Sequence, residues 1–412
     1  MTTRRTFMAG IGATIGAGAA AAGARVDDHT AGTAPFLAPH QSGIATTQQS
    51  HVYFAVFDVT TDRRDDLIRL MQTWTLLGAR LVVGLPAGEL GHALSSPPAD
   101  SGEALDLGQS ALTLTFGFGP ALFTHQGKDR FGLAARRPAA LVDLPPFPGD
   151  QFEAEKTGGA IAIQACADDP QVAFHAVRQL ARAGEQTVAM KWTQAGFSVK
   201  PRGQQVPRNL MGFRDGIMNP DITDPKAMAQ FVWVGAEGPD WMQGGSYLVA
   251  RRIRIALEHW DQMRLGFQEQ VIGRHKYSGA PLGATKEFAQ LDLSATGADG
   301  NPVIPENAHA RLGAPALNGG VQVLRRSYSY SDGVSYTAER WPPWRQAMEY
   351  DAGLLFMAYQ KDPRTGFIPI FERMSRLDAL NQFTTHVGSG IFACPGGIKK
   401  GSYIGQSLLE MS

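Results

Sequence analysis

Apolar and polar positions first fall into a regular pattern at His51. The run His51 to Val59, rich in valine and aromatic residues, predicts a strand, and Leu67, Leu70 and Met71 then share one face of a helix. Leu112 to Phe118 alternates with threonine and reads as a second strand; Ala160 to Cys166 and Val188 to Val199 read as a third and a fourth. Asp169-Pro170 opens a helix between those two, with aspartate as cap and proline in the first turn. Residues 84–110 and 137–150 read as loops.

The same grammar returns further along. Tyr247 to Leu257, Val321 to Tyr330, Gly353 to Gln360 and Phe383 to Cys394 are extended runs, and Asp362-Pro363 predicts a helix carrying Phe367, Ile370 and Phe371. Ala165, Asp169, Pro170 and Phe174 recur as Ala358, Asp362, Pro363 and Phe367, each pair 193 residues apart. Asp-Pro helix starts are common, so the four matches alone decide little; the repeated β-α-β-β-α-β order decides more. It predicts an α+β fold of duplicated ferredoxin-like modules, each an antiparallel sheet with peripheral helices, over residues 51–205 and 206–412.

A chain of 412 residues, 43% hydrophobic and 18% charged, has core material for two globular domains. Its 38 basic and 38 acidic side chains cancel, which excludes a global basic field and argues against nucleic acid as a partner. Arg4-Arg5 precede a mildly apolar stretch, Met8 to Gly23, that ends at Ala22-Gly23-Ala24. Residues 1–24 thus resemble a twin-arginine signal peptide, which predicts export to the periplasm or the medium. The stretch is too short and too weakly apolar for an anchor, and no other run is long enough for stable membrane insertion. Polar residues 25–50 read as a flexible linker. Cys166 and Cys394 lie in apolar runs and read as buried thiols, with a single disulfide left open.

Candidate chemistry centres on residues 207–220, where Asp215 stands between Gly212 and Gly216 beside Arg214, with Met211, Phe213, Ile217 and Met218 around it. A carboxylate in an apolar shell tends to bind its proton more tightly and can trade it; a plain surface turn also fits this pattern. On the strand Val321 to Tyr330, Arg325 shares a face with Val323, Ser327 and Ser329, while Arg326 shares the other with Leu324, Tyr328 and Tyr330. His309 lies in an aperiodic segment with Arg311 nearby, and Arg274-His275-Lys276 forms a basic loop.

Gly-Phe-Arg-Asp-Gly followed by Asn-Pro resembles the signature of the Dyp-type (dye-decolorizing) haem peroxidases, and the secreted branch that includes deferrochelatases most of all. The likeness runs from about His51 to the C-terminus, adding the His309-Ala-Arg311 segment, the Leu324-Arg-Arg-Ser-Tyr328 run, the basic loop and the closing run His386 to Cys394. It implies haem b as cofactor, with His309 as the proximal iron ligand. Asp215 and Arg325 would be the catalytic residues, with Arg326 the fallback for Arg325. Gly216, Ile217, Met218, Arg274, Ala314, Pro315, Ala316 and Arg325 would join His309 around the cofactor. Hydrogen peroxide and bulky organic reductants are the implied substrates, and Tyr328, Tyr330, Trp341 and Trp344 are candidate electron relays. Release of iron from haem is the competing function, and a homodimer is compatible with either. The closing run His386 to Cys394 reads as core.

Overall fold

The computed structural model describes residues 35–91, 94–199, 206–338 and 346–410; the leader and the paired Trp341 and Trp344 lie outside them. β1 (His51–Val59) is followed by α1 (Arg64–Val82), which buries Leu67, Leu70, Met71 and Trp74. β2 (Thr113–Phe118), β3 (Ile161–Ala167), α2 (Pro170–Gly184) and β4 (Val188–Phe197) complete the first half. The Asp169 carboxylate accepts from the amides of Gln171 and Val172, satisfying donors that a helix start leaves without partners.

β5 (Ser246–Ile255), the short helix α3 (His309–Leu312), β6 (Leu324–Arg325), β7 (Tyr328–Ala338), β8 (Gln346–Gln360), α4 (Phe367–Leu377) and β9 (Thr384–Cys394) form the second half. β6 and β7 are one strand in register: Leu324, Arg325 and Tyr328 stand across from Tyr359, Ala358 and Leu355 of β8.

Strand neighbours run β2-β3-β1-β4 in the first half and β9-β5-β8-β7 in the second, the same ferredoxin-like order twice, with antiparallel pairing throughout. Phe118 of β2 pairs with Ala393 of β9, and Phe197 of β4 with Ser329 of β7. These two junctions close the eight long strands into a ring. Period-two alternation divides β1 between two cores: Val52, Phe54 and Val56 join Tyr328, Leu355 and Tyr359 from the other half, while Ala55, Phe57 and Val59 pack under α1 and α2. Cys166 and Cys394 are buried free thiols. Among the described residues no helix is long and apolar enough to cross a membrane.

Two expectations need correction. The part of the 25–50 linker that is described is packed: Phe36, Gln41, Ile44 and Gln49 are buried. The Gln41 amide donates to the carbonyls of Phe116 and Pro395 and accepts from the Phe116 amide, so polar side chains here replace strand partners. Asp362-Pro363 does not start a helix. The Asp362 carboxylate is taken by the Arg364 amide and guanidinium, and α4 begins at Phe367, whose amide donates to Gln360 Oε1 at 2.7 Å.

Candidate active site

The Asp215 loop is built by its own neighbours. Asn209 Oδ1 accepts from the amides of Met211 and Phe213, and the Asp215 amide donates to the Pro207 carbonyl at 3.0 Å. Met211 and Phe213 are buried with Trp260 and Phe383, which anchors the loop from below. Gly216 has φ +111°, a conformation that L side chains rarely adopt, so the chain can turn immediately after the carboxylate.

Arg325 comes from the sheet. Alternation sends Leu324, Arg326, Tyr328 and Tyr330 into the buried interior and Arg325 to the opposite face. Its Nη1 lies 3.0 Å from Asp215 Oδ1, and about a fifth of each side chain is exposed (22% and 19%). Asp215 therefore sits beside a fixed positive charge as well as the apolar neighbours read from sequence. Arg326 is removed from the site: it donates to the Thr46 and Thr47 carbonyls and to Gln49. Tyr328 and Tyr330 are buried on that inner face too.

His309 opens α3, and its Nδ1 lies 2.7 Å from Oδ2 of buried Asp378. Burial works against a charged imidazole, but the Asp378 carboxylate outweighs it and holds the ring's proton affinity above the ordinary value. With Nδ1 engaged, Nε2 is the nitrogen left for a metal.

A single cavity, about 1520 Å³ with its open mouth included, is lined by His309, Asp215 and Arg325 together. Gly216, Ile217, Met218, Arg274 and Pro315 also line it. Ala314 and Ala316 do not. The 3₁₀ turn Pro315–Leu317 leaves Ala316 exposed at the surface, while Ala314 is buried away from the cavity. Much of the wall is apolar, including Ile253, Phe356, Phe371 and Met374.

Arg274 is buried, and its guanidinium donates to the carbonyls of Gly279 and Glu287 at 3.0 and 3.1 Å. Among the described residues no carboxylate lies within ion-pair distance of it. Burial, with the nearby Arg325 charge, lowers its pKa to about 10, although Glu287 opposes the shift. A buried cation with no carboxylate in direct contact among the described residues, at the wall of an apolar cavity, suits a flat ligand that carries carboxylates.

Asp378 and His386 line the cavity as well, and sequence reasoning missed both. Asp378 carries no local signal. His386 was assigned to the core, yet it borders the cavity, and its Nδ1 has no hydrogen-bond partner among the described residues. Burial, reinforced by Arg251, holds that imidazole well below its ordinary pKa. A second, more open cavity of about 1760 Å³ shares Asn209, Asp215, Gly216, Ile217, Arg325 and Leu354 with the first, so the ion pair stands between the two.

An apolar chamber lined by a carboxylate-anchored histidine and an acid–guanidinium pair fits the class of haem-dependent peroxidases. The Dyp-type peroxidase N-terminal model matches residues 41–198, and the C-terminal model matches 206–399. The chain therefore belongs to the Dyp-type peroxidase family and is a haem peroxidase. It is 36% identical to the dye-decolorizing peroxidase of Thermobifida fusca, over 99% of this chain and 97% of that one. It is also 36% identical to the deferrochelatase of Yersinia pseudotuberculosis, over 91% of this chain and 85% of that one. A crystal structure of a Dyp-type peroxidase from Streptomyces coelicolor superposes with a TM-score of 0.83 at 39% identity, covering 92% of this chain and 98% of that one.

Proposed function

We propose that His309 holds haem b through Nε2, that Arg274 meets its carboxylates, and that Asp215 and Arg325 handle hydrogen peroxide. The observation that carries this reading is the 3.0 Å Asp215–Arg325 pair in the chamber that His309 also lines. Bound haem supplies an iron centre that accepts peroxide oxygen and stores oxidising equivalents. Arg325, always cationic, stabilises the peroxide anion and the charge that separates as the O–O bond breaks. Its Nη1 occupies Asp215 Oδ1, which leaves Oδ2 to take the first proton and return it to the departing oxygen. Buried Asp378 fixes the tautomer and orientation of His309 and makes the ring a stronger donor.

The second cavity, lined also by Gln48, Phe288 and Ser327, offers peroxide a route to the pair. Bulky dye-like or phenolic reductants are the substrates of this reading, in keeping with the name of the Thermobifida fusca relative. The deferrochelatases among the relatives support a second activity, the release of iron from haem with the porphyrin left intact. The Arg4-Arg5 leader supports export to the periplasm or the medium by the twin-arginine route, and Lys replacement of both should leave the precursor in the cytoplasm. Assembly as a homodimer completes the reading and is read directly by light scattering.

His309→Ala tests the cofactor assignment. The variant should purify with little iron-bound haem and no peroxide-dependent dye oxidation; wild-type haem content would refute the ligand assignment.

A further inference from the structure

We propose that Asn219 is the positioning residue that sets the place of Arg325, by standing in for a missing strand. In an antiparallel ladder, the N–H and C=O of one residue point to the same side, and those of the next residue to the other. The Arg326 amide donates to the Met357 carbonyl of β8 at 2.8 Å, so the Arg325 backbone faces away from β8. No strand flanks β6 on that side among the described residues. Asn219 fills the position. Its Nδ2 donates to the Arg325 carbonyl at 2.7 Å, and its Oδ1 accepts from the Arg325 amide at 3.2 Å. A primary carboxamide offers a donor and an acceptor side by side, as the backbone of a neighbouring strand would. An ionised aspartate offers acceptors only.

The same residue is tied to Asp215. The Asn219 amide donates to the Gly216 carbonyl at 3.0 Å, closing the turn that follows the carboxylate. Gln322 adds a parallel strap, its Nε2 donating to the Met218 carbonyl at 3.2 Å. Asp215, the turn, the Asn219 carboxamide and Arg325 therefore form a closed loop whose last link is the 3.0 Å ion pair. Without Asn219 the guanidinium is still charged but is no longer held at a fixed distance from the carboxylate. Misplacing a catalytic group by about 1 Å can cost about 10²-fold in rate.

The inference rests on the assignment of Arg325 as the cation that stabilises bound anions. Its test uses ferric holoprotein, with fluoride affinity as a reporter of that cation and the rate of the spectral change on mixing with peroxide as the kinetic readout. Asn219→Asp keeps size and acceptor but loses the donor. It should weaken fluoride and slow the peroxide reaction by about 10–100-fold, with haem content unchanged. Asn219→Ser, which keeps one hydroxyl donor, should fall between wild type and Asn219→Asp, and it carries the test if the aspartate variant does not fold. In an Arg325→Leu background either substitution should add little. Full, additive losses in that background would overturn the inference, as would losses that merely follow haem content. If Arg325→Leu is impaired while the Asn219 variants match wild type, the positioning role alone fails. If Arg325→Leu itself matches wild type, the assignment of Arg325 fails and the role of Asn219 fails with it.

Discussion

Asp378 serves His309 with one oxygen and a helix with the other. Oδ2 lies 2.7 Å from His309 Nδ1, while Oδ1 accepts from the Leu380 amide at 2.9 Å at the start of the 3₁₀ turn Ala379–Gln382. The carboxylate is 3% exposed, so it can neither swing away nor be replaced by solvent without breaking the turn. The orientation of His309 is thus set by a secondary-structure cap.

Asp378→Asn preserves the cap, because an asparagine oxygen can still accept from Leu380, but it removes the charge beside His309. Haem affinity should fall by about 10–100-fold, with the fold intact, since outer partners of metal-bound histidines are worth that much. Haem transfer to apomyoglobin checks the affinity, and the far-ultraviolet circular dichroism should be unchanged.

Asp215→Asn and Arg325→Leu should fail differently. Loss of a positioned proton carrier costs about 10²–10⁴-fold, and loss of one fixed electrostatic donor about 10²–10³-fold. Water can carry a proton in place of Asp215, whereas nothing mobile replaces the guanidinium, so Arg325→Leu should be the slower enzyme. Peroxide-dependent dye oxidation across pH decides the order, and both variants should keep their haem.

Glu103 predicts an acid-sensitive loop. Burial pushes its carboxyl upward, but Ser101, its own backbone, His175 and Arg178 together bring it down to about 2. A folded value below the unfolded one stabilises the protein above about pH 4, and the gain is lost as pH falls towards 2. Glu103→Gln should cost about 1–2 kcal/mol at pH 7, after allowance for partial exposure, and the gap should close towards pH 2. Urea unfolding at pH 7 and pH 3 measures the gap at full size and part-way through its loss.

A chain beginning at His51 should be unstable in a specific way. It lacks the Thr46 and Thr47 carbonyls and the Gln49 side chain that hold the buried Arg326 guanidinium. Stranding a buried charge costs about 3–5 kcal/mol. Arg326→Leu should therefore harm the full chain yet restore part of the stability of the truncated one, as read from denaturant midpoints.

The strands were legible because burial on both faces or one leaves a direct mark on residue choice; β1 follows its apolar run from His51 to Val59. Asp215 and Arg325 stood out only through motifs that resemble the family's, while strand alternation alone put Arg325 and Arg326 on opposite faces, as the sheet does. What joins distant segments left no mark. Asp378 is an ordinary aspartate until the fold brings it to His309, and His386 borders the cavity from within an otherwise apolar strand. Gln41 and Gln49 read as linker because glutamine looks solvated until strand backbones accept and donate to it. Asp362-Pro363 carried a helix-start signal that Arg364 diverted.

The ring of strands makes the two halves dependent on each other in a way ordinary tandem domains are not. Cut apart, the first half would bare β2 and β4, and the second β7 and β9, because these are the strands that meet at the junctions. Bare strand edges recruit other chains, so a separately expressed half should precipitate or pair with a copy of itself. Once a duplicated module had closed on its twin in this manner, neither copy could be discarded. A half free of haem contacts could then lose its own pocket without being lost itself.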